Sequence, residues 1–323
     1  MDLFEPILNQ MVFLFAFILI GFILAKCKLV PENSSTVISK LENYILVPAL
    51  VLSTFIGNCT PSVLRSMWKY LVLGFGLVAI TIPVSLLFAK VCFKEKYLQK
   101  IAAYGLAFSN FGFMGNAIMD GVFGGEVFFV YTIFTLPLWF MIYAWGAPVL
   151  LISSSSDGAK PSVKDRLKNF LNPMFIAMII GIILGLTGLG AKLPSAAVSV
   201  VDTAGDCMSP LAMMLTGLTI GKTNVLALLK RWRIYLTSAI KLIVYPALFL
   251  VLFALLPKNG FFTETFFLCG ACVAAMPMGL NTIVIPAAYG KDTTDAAGLA
   301  LVSHLFSVGT IPLVFMLLQN FIL

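Results

Sequence analysis

Charge is scarce in this chain. Of its 323 residues only 11% are charged, while 60% are hydrophobic and the mean hydropathy is +1.01. A soluble domain of this size carries far more charge, so the chain is read as an integral membrane protein. Histidine occurs once, which excludes a metal cluster built on imidazoles. No GxSxG, HExxH or Walker sequence is present, so the common hydrolase, metalloprotease and nucleotide-binding motifs are missing. No enzymatic activity, cofactor or metal is expected. The six cysteines (Cys27, Cys59, Cys92, Cys207, Cys269, Cys272) are scattered through apolar sequence and do not form the framework of a small secreted protein. Cys269 and Cys272 make a CxxC, but on a membrane helix that spacing only sets two small side chains on one face. The net charge of +7 does not point to nucleic acid either, because the basic residues sit in short gaps between apolar runs.

Ten such runs are present, near 7–25, 37–57, 70–91, 101–122, 127–152, 173–190, 197–220, 234–256, 265–289 and 296–322. Each is about the length that spans a bilayer as a helix. The expected fold is all-α, with ten transmembrane helices and both termini on one side. Acidic residues precede the first run and Lys26 and Lys28 follow it, as in an uncleaved first helix with its N-terminus outside. Lys and Arg bordering alternate gaps number 16 on one side and 4 on the other. Since cytoplasmic loops carry the excess, a multi-pass cell-membrane protein with extracellular termini is expected.

Glycine and proline landmarks pair across the polar stretch 153–166. Gly21 pairs with Gly181, Pro48 with Pro210, Pro83 with Pro246, Gly115 with Gly279, Gly124 with Gly290 and Pro137 with Pro312, at offsets drifting from 160 to 175. Five spans per half is an odd number, so the second half enters from the opposite side and the repeat is inverted. The expected division is a first five-helix repeat at 1–152, a cytoplasmic linker at 153–168 and a second repeat at 169–323.

Two spans break the rules of an ordinary membrane helix. The ninth carries Pro277, Gly279, Asn281 and Pro286 within ten positions, and the fourth carries Gly112, Gly115 and Asn116 in SNFGFMGNA. Irregular backbone is tolerated at that depth only where protein or an aqueous cavity covers it, and paired interruptions in two halves point to a substrate site. If the breaks cross at the midplane, with helix breaks at Gly112, Gly115, Pro277 and Gly279, their N–H ends can hold an anion. Asn110, Gly115, Asn116, Met278, Gly279 and Asn281 are the expected substrate-binding residues. Interhelical hydrogen bonding is the competing role for the asparagines, strongest for Asn110.

Ionisable groups inside spans are costly and so are candidates for function. Glu42 and Asp202 lie near span ends and are expected to reach water. Asp206 and Lys241 lie deeper and are of opposite sign, so they are candidates for a mutual pair. His304 is read first as a satisfied structural donor, with a proton relay as the alternative. Asp206, Lys241 and His304 are thus the residues on which coupling would rest.

On SNFGFMGNA followed by FGGE, on MPMGLNTIVIPAAYGKD, on TIPL near the C-terminus and on Lys241 ahead of Pro246, the chain resembles the bacterial branch of the auxin efflux carrier family, over nearly its whole length. That resemblance implies crossing fourth and ninth helices, a scaffold of helices 1, 2, 6 and 7, and a moving transport unit of helices 3–5 and 8–10. In fold such carriers are similar to bile-acid sodium symporters. The family commonly has proline after the FMG of the fourth span, where this chain has Asn116 and Ala117, so a looser first break is expected. The function expected is elevator-type secondary transport of a small organic anion, a carboxylate, across the lipid bilayer. A sodium-coupled symporter and a non-transporting receptor or channel are the alternatives. Proton coupling and a homodimer are left open.

Overall fold

A computed structural model of the chain describes residues 3–152, 173–222, 230–288, 291 and 293–323. The expected linker at 153–168 and the landmark Gly290 lie outside the described residues. All regular structure among the described residues is helical. In chain order the main helices are α1 (Phe4–Lys26), α2 (Ser34–Leu41), α3 (Val47–Asn58), α4 (Pro61–Cys92), α5 (Lys96–Ala107), α6 (Asn116–Met141), α7 (Pro173–Thr187), α8 (Ser195–Asp206), α9 (Met208–Gly221), α10 (Trp232–Ala239), α11 (Tyr245–Ala254), α12 (Glu264–Ala275), α13 (Asn281–Ala288) and α14 (Thr294–Phe321). Short π-helical turns join several of them. Six helical runs are long and apolar enough to cross a membrane: Phe4–Lys26, Ser34–Asn58, Arg65–Cys92, Phe111–Met141, Trp232–Ala254 and Thr294–Phe321.

Local sequence explains why other apolar runs are cut short. Pro210 brings no N–H to the carbonyl of Asp206, and the seventh run divides at Cys207 into α8 and α9. Pro48 likewise follows a π turn at Glu42–Leu46 that links α2 to α3. Within α6, Gly124 has φ 79° and ψ 173°, a backbone that favours glycine, so two helices meet there at an angle.

Faces sort by solvent. On α1 the buried residues Ile7, Met11, Leu14 and Ile18 follow the helical period, while Val12, Leu19, Ile20 and Ile23 on the outside are exposed and equally apolar. The same holds for Ile176, Ile179, Ile180 and Ile183 on α7. Apolar belts of that extent fit lipid rather than water.

The helices pack in two groups. In the first, α1 lies along α9, and α3 lies along α7 and α8. Glycines let the backbones touch. A Cβ on Gly21 would stand 2.1 Å from the Met214 carbonyl oxygen, and one on Gly217 1.9 Å from that of Ile18. Reciprocally, a Cβ on Gly181 would stand 2.7 Å from Phe55 Cβ, and one on Gly185 2.6 Å from the Cys59 carbonyl oxygen. In the second group α4 packs on α5 and α6, α11 on α12, and α14 on α10 and α12. The chain ends meet: the Leu3 N–H donates to Gln319 Oε1 at 2.7 Å.

Two helices stop inside the second group. Helix α5 ends at Ala107 and the chain re-enters helix through a π turn at Phe111–Gly115; α12 ends at Ala275 and α13 begins at Asn281. Met276 is extended, at φ −62° and ψ 143°, because the residue before a proline is disfavoured in helix.

Candidate functional site

The two interruptions touch. Ser109 and Met278 form an antiparallel bridge, the Asn110 N–H donates to the Pro277 carbonyl at 2.8 Å, and Ser109 Oγ donates to the Val273 carbonyl at 2.9 Å. From α14, Ser303 Oγ accepts the Met278 N–H at 3.2 Å. Each break thereby satisfies the backbone of the other, which the membrane interior demands. Close approach also requires Gly279, where a Cβ would stand 3.0 Å from the Phe108 carbonyl oxygen and 3.2 Å from that of Ser109.

Asn110 holds the crossing together. Its carbonyl accepts the N–H groups of Met114 and Gly115, both at 3.1 Å, closing the π turn. Its side-chain amide lies 3.0 Å from His304 Nε2, and His304 Nδ1 lies 2.7 Å from the Ala300 carbonyl. A carbonyl only accepts, so the Nδ1 proton goes to Ala300 and Nε2 accepts from Asn110 Nδ2. Both nitrogens of the buried His304 are satisfied, and Asn110 Oδ1 is left buried without a donor among the described residues.

Residues expected at one site divide between two cavities. The smaller, about 20 Å³, lies against residues that precede and enter the first break, among them Tyr104, Asn110 and Gly112, together with Gly279 and Asn281. Asn281 Nδ2 donates to Tyr104 Oη at 3.3 Å. Among the described residues the wall of this cavity carries no Asp, Glu, Lys, Arg or His. It is lined by the residues that open two helical runs, Phe111–Phe113 and Leu280–Asn281. No acceptor among the described residues meets the N–H groups of Phe111–Phe113, Leu280 and Asn281, as expected for helix N-termini, while the bridge sets the Gly279 N–H against the Phe108 carbonyl.

The larger cavity, about 250 Å³, lies one or two helical turns past the break. It is lined by Gln10 of α1, Asn116 and Asp120 of α6, and Asp206, Ser209 and Pro210 where α8 gives way to α9. Asn116 is therefore not beside Asn281. The break occurs before it, at Phe108–Asn110, and Asn116 is helical at φ −57° and ψ −46°. Its distance from the opposite break follows from that helical turn.

The remaining expected residues are fixed by packing. A Cβ on Gly112 would stand 2.4 Å from the Trp139 indole, and one on Gly115 2.3 Å from Tyr131 Oη. Met278 is fully buried, its sulfur against Gly105. Asp206 and Lys241 do not meet: Lys241 is buried with its ammonium 4.9 Å from the Tyr245 ring centre. The only ion pair among the described residues joins Arg231 and Asp295. Asp202 is partly exposed and accepts from Ser53 Oγ at 2.5 Å. Glu42 does not reach water. It is fully buried, and neither carboxyl oxygen has a hydrogen-bond partner among the described residues, because the π turn that it opens packs against α7, α8 and α9.

Asp120, Gln10, Ser209 and Tyr104 escaped the sequence reading. For Asp120 a signal existed, since it follows Asn116 by four residues and so shares its helix face.

The profile of a family described as membrane transport protein matches residues 6–315 of the chain. No curated protein matches it.

Proposed function

Because the chain belongs to this membrane transport family, that of the auxin efflux carriers, we propose that it is a secondary carrier of a small organic anion, a carboxylate, working by alternating access. The observation that carries the anion reading is the convergence of two helix N-termini on one cavity with no acidic side chain among its described lining residues. Oriented N–H groups and the positive ends of two helix dipoles favour a carboxylate there. Asn281 Nδ2, which donates to Tyr104 Oη, adds a side-chain donor. At about 20 Å³ the cavity has room for little more than one water, so the substrate enters only when the two breaks and the neighbouring helices separate.

The architecture we propose is ten spans in two inverted five-helix repeats. The reciprocal glycine contacts support it, since Gly21 of the first span meets Met214 of the seventh while Gly181 of the sixth meets Leu52 and Phe55 of the second. So does the bond from Ser109 to Val273, 164 residues apart, the same offset as between Gly115 and Gly279. Adjacent chain ends suit an even number of crossings. The first packing group corresponds to a scaffold of spans 1, 2, 6 and 7. The second corresponds to a transport unit of spans 3–5 and 8–10, which slides as an elevator. The excess of Lys and Arg in alternate gaps supports termini outside a plasma membrane.

Uptake of labelled mono- and dicarboxylates into proteoliposomes tests the reading. A carrier gives solute-dependent flux that saturates and exchanges across the membrane. Flux that rises linearly with concentration makes the protein a channel, and binding without flux makes it a receptor.

A further inference from the structure

The larger cavity differs in chemistry from an anion site. Two carboxylates, Asp120 and Asp206, face it, and none of its lining residues is basic. Asn116 lines it too, only 6% exposed and without a side-chain hydrogen bond among the described residues. Ser209 Oγ, also in the wall, is buried with no partner among the described residues. Gln10 Nε2 is engaged, donating to the Ala117 carbonyl at 3.0 Å, which fixes α1 against α6. The carbonyl of Asp206 receives no N–H from Pro210 four residues on, at the C-terminal end of α8, where the helix dipole is negative. Half-helix C-termini and freed carbonyls are where carriers hold coupling cations.

We propose that this cavity binds one sodium ion, held by Asp120 with Asp206, the Asn116 amide oxygen and Ser209 Oγ. An all-oxygen donor set selects a hard cation. The exposed Asp206 is screened by solvent and contributes part of a charge, and no cluster of three or more acidic, His or Cys ligands exists among the described residues. Calcium takes six to eight oxygens, carboxylates prominent among them, so the balance favours a monovalent ion. The ninth span carries no acid beside its break, and the ligands come instead from the fourth and seventh spans, one from each packing group. Sodium would therefore bridge the two groups. The inference rests on the carrier reading for its purpose, but its test does not.

The experiment is thermal unfolding of the purified, substrate-free protein in detergent, titrated with sodium chloride against N-methylglucamine chloride at constant ionic strength and pH. A ligand that binds only the folded state raises Tm with saturation. Sodium is expected to do so, with potassium and calcium weaker. In Asp120→Asn the apparent affinity for sodium is expected to fall about tenfold or more, at least the loss that follows removal of outer-shell partners in metal sites. If that variant does not fold, Asn116→Ala and Ser209→Ala serve in its place and must weaken the sodium response. Equal stabilisation by N-methylglucamine or potassium, a stronger effect of calcium, or an undiminished response in the variants that fold overturns the proposal. Saturable carboxylate flux in a protein without a sodium response would reject this site and leave the carrier reading intact.

Discussion

The two cavities at the crossing are built from neighbouring stretches of one span, yet their walls have opposite character. Tyr104 to Phe113 approach the break, and there the chain presents the start of a helical run, with free N–H groups and no acid. Asn116 to Gly121 follow it, and there the chain is regular helix whose exposed backbone is exhausted, so side chains decide: Asn116 and Asp120 on one face meet Asp206 and Ser209. The difference teaches that a broken helix separates charges of opposite sign along its own axis. A single interruption can thus set the start of a helical run against one cavity and acidic side chains against another.

The harshest way to break that arrangement is to wedge the crossing open. Gly279→Leu drives a side chain into the Phe108 and Ser109 carbonyls, which already stand 3.0 and 3.2 Å from a bare Cβ, and fills the smaller cavity. Carboxylate uptake by this variant is expected to vanish while the protein still inserts and purifies. Normal uptake would mean that the substrate passes elsewhere.

Next comes Asn281→Ala, which removes one donor from the smaller cavity and leaves the larger untouched. A lost hydrogen bond to a charged acceptor costs about 1 to 3 kcal/mol, or roughly a fivefold to hundredfold loss of carboxylate affinity, read by calorimetry on the purified variant. The rise of Tm with sodium is expected to persist. Loss of both responses together would show that the cavities act as one site.

How much of this was legible in sequence follows from which forces act locally. The interruption at 276–280 was legible because Gly and Pro change the backbone wherever they stand, whereas that of the fourth span falls at 108–110, ahead of Gly112 and Gly115 where it was expected, and both of these glycines lie in the π turn. The all-α class was legible because a bilayer admits few alternatives. The division of Asn116 from Asn281 was not, since it depends on where the fourth span resumes helix, and a π turn closed by the Asn110 carbonyl settles that. Nor was the burial of Glu42, which depends on how the π turn at 42–46 rotates it toward α7–α9. The partners of Asp206 and Lys241 are set by tertiary packing alone, and opposite sign in sequence says nothing of distance.

A smaller effect is expected where the crossing is held rather than used. Asn110→Ala removes the donor to His304 Nε2 and leaves a buried acceptor unpaired, at about 1 to 3 kcal/mol of stability. The main-chain bonds of Asn110 to Pro277, Met114 and Gly115 survive the substitution. Chemical denaturation is expected to register the loss, while carboxylate affinity changes less than in Asn281→Ala. The reverse order would move Asn110 from the frame of the site into the site.

The smallest effect is expected at the lone histidine. His304 is buried between the Ala300 carbonyl, which takes its Nδ1 proton at 2.7 Å, and the Asn110 amide, which donates to Nε2 at 3.0 Å. Accepting a second proton would place a donor against Asn110 Nδ2 and force that amide to turn over, disturbing the contact that anchors the crossing. The imidazole therefore acts as a fixed donor and acceptor. Glutamine offers one of each and does not titrate, so in His304→Gln the amide oxygen can accept from Asn110 while the amide nitrogen donates toward Ala300. Transport is expected to stay within a factor of about five of wild type, a change under about 1 kcal/mol, and its response to an imposed pH gradient is expected to match wild type. The measurement is uptake into proteoliposomes with and without that gradient. A variant that still exchanges substrate but no longer follows the gradient would make His304 the proton carrier and turn the Asn110 contact from a strut into a switch.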